Sequence, residues 1–404
     1  MPTAASKTRM TIVDALRGFS LAGIVIVHMV ENYVGGPAPE EFMQATNQGI
    51  PDQIVNIFTF IFLRGKFFAL FSFLFGLSFF IQMDSAARLG QDFRGRFLWR
   101  LCLLLAIGYL HHLFYRGDIL TIYALVGMAL IPFYRIRSNW ILLLAGLIFI
   151  GLPRFLLYAL GAGDGLLLEN AIDPASPDNV QYLRALESGT LFEVWKSNSF
   201  SGHLMKAEFQ IGVGGRAYLT FAFFLLGLLM GRIGYFRTYP EYLKLTRKAL
   251  WISLGTFIIG TLLVVVFFMK LGPEPDFNTW WAMAGLTAFD ISNLGMTGMI
   301  LAGFVLLYQR SRAGQLLNRF APYGRMALTN YILQTLLGTL IFYGWGFGYL
   351  GSVPNRYAFL MALGIIALQL QVSRWWLKKY YYGPPEWVWR SLTYFRPYPL
   401  KRSP

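Results

Sequence analysis

DALRGFSLAGIVIVHMVENY, residues 14–33, has the length and apolarity of a helix that crosses a membrane, yet it carries Asp14, Arg17 and His28. About 20 apolar residues in a helix span the hydrocarbon of a bilayer. Ionisable side chains at that depth are costly, which makes each of them a candidate functional residue. Eleven residues separate Arg17 from His28, about 16 Å of helix rise and close to three turns, so the two side chains share a face. Asp14 and Arg17, at i and i+3, are spaced to pair. Arg17 reads equally well as a side chain snorkelling to headgroups, and His28 as a hydrogen bond between packed helices.

Working outward, the same texture fills the chain. Of 404 residues, 56% are hydrophobic, 17% aromatic and only 14% charged, against about 25% charged in a soluble domain. Mean hydropathy is +0.49. The chain is therefore expected to be an all-α polytopic integral membrane protein, because only helices and closed barrels satisfy their backbone in lipid. About 10 transmembrane helices (range 9–11) are predicted, near 11–32, 54–83, 96–115, 119–134, 139–160, 210–231, 249–269, 279–308, 325–348 and 357–377. Arg64-Gly65-Lys66 interrupts the second. Residues 11–160 form an N-terminal helical core and 210–379 a C-terminal bundle. Between them 161–209 is an extracytoplasmic loop, in which LRALESGTLFEVWKSNSF (183–200) is expected as one short helix lying on the surface. The aromatic tail 380–404 is placed at the cytoplasmic interface.

A net charge of +15 is explained by basic residues in short loops, which orient the chain with both termini cytoplasmic and dispense with nucleic acid as a partner. Lys7 and Arg9 precede an apolar stretch, but Asp14 and Arg17 interrupt it, so the segment is read as a retained first helix. Cys102 is the one cysteine and allows no internal disulfide. The four histidines show no metal-ligand spacing, so no metal is expected.

Three further polar clusters stand out. In GYLHHLFYRGDILTIYALVG (108–127), His111 and His112 point in different directions on a helix, and Asp118 sits at a hairpin. There it is suited to cap the next helix or to hold a histidine tautomer for general-base chemistry. In FRGRFLWR (93–100), Arg94, Arg96 and Arg100 start a span; they are positive-inside anchors or, through their planar forks, phosphate ligands. In APYGRMALTNYILQ (321–334), Arg325, Thr329, Asn330, Tyr331 and Gln334 put a polar stripe on a long helix.

DALRGFSLAGIVIVHM (14–29), GKFFALFSFLFGLSF (65–79), HHLFYRGDILTIYALVGM (111–128), GRMALTNYILQTL (324–336) and GPPEWVWRSLTYF (383–395) together resemble the YeiB-like family of bacterial inner-membrane proteins, in family order. That family looks related to a wider transmembrane acyltransferase superfamily. The superfamily includes the lysosomal heparan-α-glucosaminide N-acetyltransferase and the O-antigen acyltransferases. Typical YeiB-like members carry Asn where this chain has His28, whereas the O-antigen pattern has Arg and His at the separation of Arg17 and His28. The lysosomal enzyme's catalytic His would fall near Pro39, so it does not carry over.

The resemblance implies a multi-pass protein of the bacterial inner membrane. It would move an acyl group from cytosolic acyl-CoA, acetyl-CoA foremost, to a hydroxyl or amine of a small-molecule, glycan or lipid acceptor at or beyond the membrane. It supports Arg94, Arg96 and Arg100, with Arg17 and Arg325, as donor-binding residues, and His111 and Asp118 beside His28 as catalytic ones. His112 ranks lower, because the family often has Gly there. Asp14, Asn330 and Gln334 complete the polar site, and a second copy of the chain stands as a candidate partner. The competing expectation is a transporter or permease for a small anionic or amphipathic solute; a membrane scaffold or sensor is third.

Overall fold

The computed structural model describes residues 10–161, 173–199, 201–212, 214–272 and 276–402. Lys7 and Arg9, which entered the sequence reading above, lie outside these, as do residues 162–172 of the expected loop. The described residues are helical throughout, with no strand beyond an isolated bridge between Tyr380 and Lys401.

Helix α1 (Thr11–Val30) runs through the centre, packed against six other helices. A short α2 (Glu40–Thr46) and α3 (Ile50–Phe58) follow, and α3 passes through a π-turn at 59–63 to Gly65 and α4 (Lys66–Ala87). The interruption expected at Arg64-Gly65-Lys66 is there. Gly65 has φ +81°, a left-handed conformation that a side chain would oppose. Then come α5 (Arg94–Phe114), α6 (Leu120–Leu130), α7 (Asn139–Ile148) and α8 (Leu152–Gly161). Three helices cover one end of the bundle: α9 (Pro177–Ser188), α10 (Leu191–Ser199) and α11 (Ser201–Ile211). After them lie α12 (Arg216–Arg232), α13 (Leu243–Leu271), α14 (Trp280–Tyr308), α15 (Ser311–Asn318), α16 (Ala321–Arg325), α17 (Ala327–Phe342), α18 (Asn355–Lys379) and α19 (Pro384–Tyr394).

Six helices are long and apolar enough to cross a membrane, or up to eight if two bent pairs each count as one span, among the described residues. The bent pairs are α7 with α8, at 47°, and α11 with α12, at 59°. Two predicted spans, 119–134 and 325–348, prove to be shorter apolar helices: Leu120–Arg135, which ends in a 3₁₀ turn, and Ala327–Phe342. Helix α13 leaves Trp251, Ile259, Leu262 and Met269 exposed, an apolar face of the kind lipid covers.

The expected helix over 183–200 comes out differently over its described residues, 183–199. They form parts of two helices rather than one, broken at Gly189 and Thr190, and both helices are packed into the protein: Tyr182, Leu186 and Val194 are buried. Its break is a reciprocal cap. Thr190 N–H donates to Glu193 Oε2 at 2.7 Å, and Glu193 N–H donates to Thr190 Oγ1 at 3.3 Å.

At the opposite end, α19 folds back over the start of α5. Trp389 Nε1 donates to the Arg100 carbonyl at 2.9 Å, and the Arg100 guanidinium lies 3.6 Å from the Trp389 ring centre. Glu386 caps α17, accepting from the Leu328 and Thr329 amides at 2.8 and 3.0 Å and from the Thr329 hydroxyl. Replacing Trp389 with alanine removes a large aromatic anchor, worth about 3–5 kcal/mol in a packed site. The expected result is a tail that proteases cleave near residue 383 while the rest of the chain stays intact; a tail as resistant as in the parent protein would refute this clamp.

Candidate functional site

The hairpin between α5 and α6 brings His111 and Asp118 together. Asp118 is almost completely buried, and its Oδ1 lies 2.8 Å from His111 Nδ1. The same carboxylate caps α6: it accepts from Leu120 N–H at 3.1 Å, Thr121 N–H at 3.0 Å and the Thr121 hydroxyl at 2.9 Å. Capping and holding a histidine, which the sequence offered as alternatives, are done by one side chain. Burial raises the Asp118 pKa, but the Lys206 ammonium and the bond to His111 outweigh it and hold the carboxyl well below the usual range. An ionised carboxylate only accepts, so His111 presents Nδ1–H to it, and in the neutral tautomer the lone pair is on Nε2. That Nε2 is buried without a hydrogen-bond partner.

Lys206 comes from α11 and was not singled out in the sequence, where it sits in the polar run SGHLMKAEFQ. Its Nζ donates to Thr121 Oγ1 at 2.7 Å, Asp118 Oδ2 at 3.2 Å and His112 Nδ1 at 3.3 Å. His112 points away from its neighbour, as adjacent helical residues must, and its ring meets that of His203 at 3.9 Å. Arg116 closes the end of the site by lying 3.4 Å from the Tyr182 ring centre of α9. The covering helices thus supply a charge to the site as well as a roof.

His28 reaches the same region from α1. Its ring packs edge-on to Tyr33 at 5.3 Å and Tyr115 at 5.0 Å, and lies 6.5 Å from Tyr331. On the other side, the His111 ring lies 4.7 Å from that of Tyr331. Tyr331 therefore stands between the two histidines. Gln334, one turn further along α17, is fully buried with both side-chain amide atoms unpartnered among the described residues. His28 Nδ1, His111 Nε2, His112 Nε2 and the Gln334 amide gather unsatisfied polar atoms in one neighbourhood. Native interiors seldom leave such groups unmet away from functional sites.

The remaining candidates lie elsewhere. Arg17 pairs with Asp14 at 3.0 Å, as its spacing predicts, and donates to Ser78 at 3.0 Å; both are at the far end of α1 from His28. Asn330 is saturated by Ser373 at 2.9 Å and the Tyr323 carbonyl at 3.2 Å, within a network that also holds Gln369. It joins α16, α17 and α18 and takes no part in the histidine cluster. Arg325 closes α16 beside α1. Arg94 is held by Asp92 at 2.5–3.0 Å, Arg96 lies 5.3 Å from the Tyr394 ring centre, and Arg100 is stacked on Trp389. The three arginines begin one helix, but their forks are met by Asp92 and by the aromatic tail. No group of three His, Cys, Asp or Glu suited to a metal ion occurs among the described residues.

Residues 230–396 match the family described as "Protein of unknown function (DUF418)". This region contains Tyr331, Gln334 and the tail clamp; the His111–Asp118 pair lies before it. Similarity to individual proteins extends over almost the whole chain. The chain is 27% identical to the uncharacterized protein YxaH of Bacillus subtilis, covering 98% of this chain and 96% of that protein. It is 29% identical to an uncharacterized 39.9 kDa protein of Bacillus acidopullulyticus, over 97% and 96%, and 25% identical to the uncharacterized protein YeiB of Escherichia coli, over 95% and 96%.

Proposed function

We propose that the chain, a member of the YeiB-like family of uncharacterised bacterial DUF418 proteins, is a transmembrane acyltransferase whose general base is His111. The observation that carries this reading is the His111–Asp118 pair: a buried carboxylate fixes Nδ1, and Nε2 is left without a partner among the described residues. His28, the other catalytic histidine the resemblance implied, contacts no carboxylate among the described residues, and its place beside Tyr115 and Tyr331 suits it to hold the acceptor. In the transfer step His111 Nε2 takes the proton of an acceptor hydroxyl or amine as that atom attacks the thioester carbonyl. The carbon–sulfur bond breaks, and the CoA thiolate leaves and takes up a proton. Positioned base catalysis of this kind contributes about 10²–10⁴-fold.

On this reading acyl-CoA enters from the cytosolic face, where Arg96 and Arg100 meet the donor phosphates once α19 swings off them. The two bent pairs and the two shorter apolar helices, added to the six long ones, are the ten crossings that put both termini in the cytoplasm. The membrane is then the bacterial inner membrane.

The test is purified protein in nanodiscs given acetyl-CoA labelled in the acyl group. Transfer or slow hydrolysis is expected in the parent protein and a fall of about 10²–10⁴-fold in His111→Ala. Absence of both reactions across short and long acyl-CoAs would refute the proposal. Transport is favoured by a different observation, the two bent helix pairs, since broken spans build solute sites in many transporters. Solute flux into proteoliposomes without any acyl donor would establish that reading instead.

A further inference from the structure

We propose that the first turn of α4, together with Lys66, Arg216 and Asn293, forms a binding site for a phosphate group, a site separate from the histidine cluster. Helix α4 is 22 residues long and its N-terminus carries no side-chain cap. Such an end presents unpaired N–H groups and the positive pole of the helix dipole. Its N-cap is Gly65, and a Cβ there would stand 3.3 Å from Asn293 Oδ1 and 3.4 Å from Nδ2. Asn293 is therefore in direct contact with the helix start. It is 1% exposed, and neither amide atom has a hydrogen-bond partner among the described residues. One turn along α14, the buried Thr297 hydroxyl is likewise unpartnered.

The charges around this point do not balance. Arg64 is paired with Glu31 at 2.7 Å, and Arg154 with Asp290 at 2.6 Å. Lys66 and Arg216 make no ion-pair contact with a carboxylate among the described residues, although Arg216 interacts electrostatically with Asp290 and Glu31, the carboxylates already held by Arg154 and Arg64, as well as with Arg64 and Lys66. Lys66 is 3% exposed; its ammonium donates to the Phe60 carbonyl at 2.8 Å and lies 5.7 and 5.6 Å from the Phe60 and Phe289 ring centres. Arg216 lies over the Phe68 ring, 5.2 Å from its centre, and 5.8 Å from that of Phe209. Removing a cation from water without a counter-charge costs several kcal/mol. Four cations share two carboxylates here, and the surplus positive charge meets an uncapped helix end and an unmet amide at one point. A guanidinium fork, a compact ammonium and backbone N–H groups are the ligands that phosphate takes together.

The phosphate belongs either to a lipid or to a soluble ester. Glu31 also interacts electrostatically with Tyr115, whose ring packs on His28, so a phosphorylated molecule seated here extends toward the histidine cluster. Phosphate binding needs no acyl donor, and it stands or falls independently of acyl transfer.

Thermal unfolding of the purified chain measures it in two arms. In phosphate-free detergent, inorganic phosphate is titrated against sodium chloride at matched ionic strength. In phosphatidylcholine nanodiscs, 10% phosphatidic acid is compared with none. A saturable stabilisation is expected in one arm: the first identifies a soluble ester, the second a lipid headgroup. Arg216→Gln and Asn293→Leu are expected to weaken that response by about tenfold, the loss of one charge-assisted hydrogen bond; Arg137→Gln, on the surface, leaves it unchanged. Asn293→Leu alters no charge and replaces an unmet amide with an apolar group of similar size, so it reports even where Arg216→Gln fails to fold. No stabilisation in either arm, or an unaltered response in Asn293→Leu, would overturn the proposal.

Discussion

Replacing Asp118 with alanine is expected to destabilise the folded protein by about 3–5 kcal/mol, the cost of stripping a buried charge of its partner. The partner is Lys206, which is nearly buried and has no other carboxylate in contact among the described residues. His111 loses its orienting acceptor in the same step, and the first two amides of α6 lose theirs. Equilibrium unfolding in a mild detergent measures the effect. The double variant Asp118→Ala with Lys206→Met is expected to recover part of the loss, because the stranded ammonium goes with its carboxylate; the recovered fraction is the coupling between the two. Equal stability of Asp118→Ala and the parent would show that Lys206 finds water or another acceptor, and that the site is less closed than its geometry implies.

The second large effect concerns the crossing of α4 and α12. A Cβ on Gly227 would stand 1.9 Å from the Phe73 carbonyl oxygen, and one on Gly76 would stand 2.0 Å from that of Phe224. Each glycine therefore admits the other helix's backbone, the close approach by which small residues join helices in membranes. Backbone on both sides cannot yield as a flexible side chain does. Gly227→Ala is expected to cost about 3 kcal/mol, the upper part of the range for overpacked sites, and Gly227→Val to leave no monodisperse protein in gel filtration. Gly255→Ala is the control: nothing lies within 4 Å of its added methyl group, and the gain in helix propensity is expected to leave stability level or slightly raised. A Gly227→Ala variant as stable as Gly255→Ala would mean the two helices slide apart freely.

Local features were legible in the sequence. The first span, its Asp14–Arg17 pair, the break at Gly65 and the pairing of His111 with Asp118 all follow from spacings of a few residues. What was hidden depends on distant partners. Lys206 is 88 positions from Asp118 and lies in a polar run that reads as surface. Nothing local to FRGRFLWR showed that Trp389, 289 positions away, stacks on Arg100. Gln334 and Asn330 lie a turn apart and look alike in sequence, yet one is satisfied by α16 and α18 and the other is unmet. Some predicted spans prove short or bent, because hydropathy records how apolar a segment is and not whether its helix continues straight.

The clamp made by α19 also bears on how the molecule is born. Synthesis runs from the N-terminus at about 5–20 residues per second, so the helices that α19 rests on are made before it exists. Arg100 and Trp99, whose indole donates to the Leu392 carbonyl at 3.1 Å, wait uncovered through that interval. The last residues then lock the tail in place: Tyr381 N–H donates to the Leu400 carbonyl and Arg402 N–H to the Lys379 carbonyl, both at 2.9 Å. A chain released before residue 383 carries every long apolar helix yet displays a bare patch of indole and guanidinium. Finished and unfinished copies in the same membrane thus differ in a surface that a quality-control protease can read.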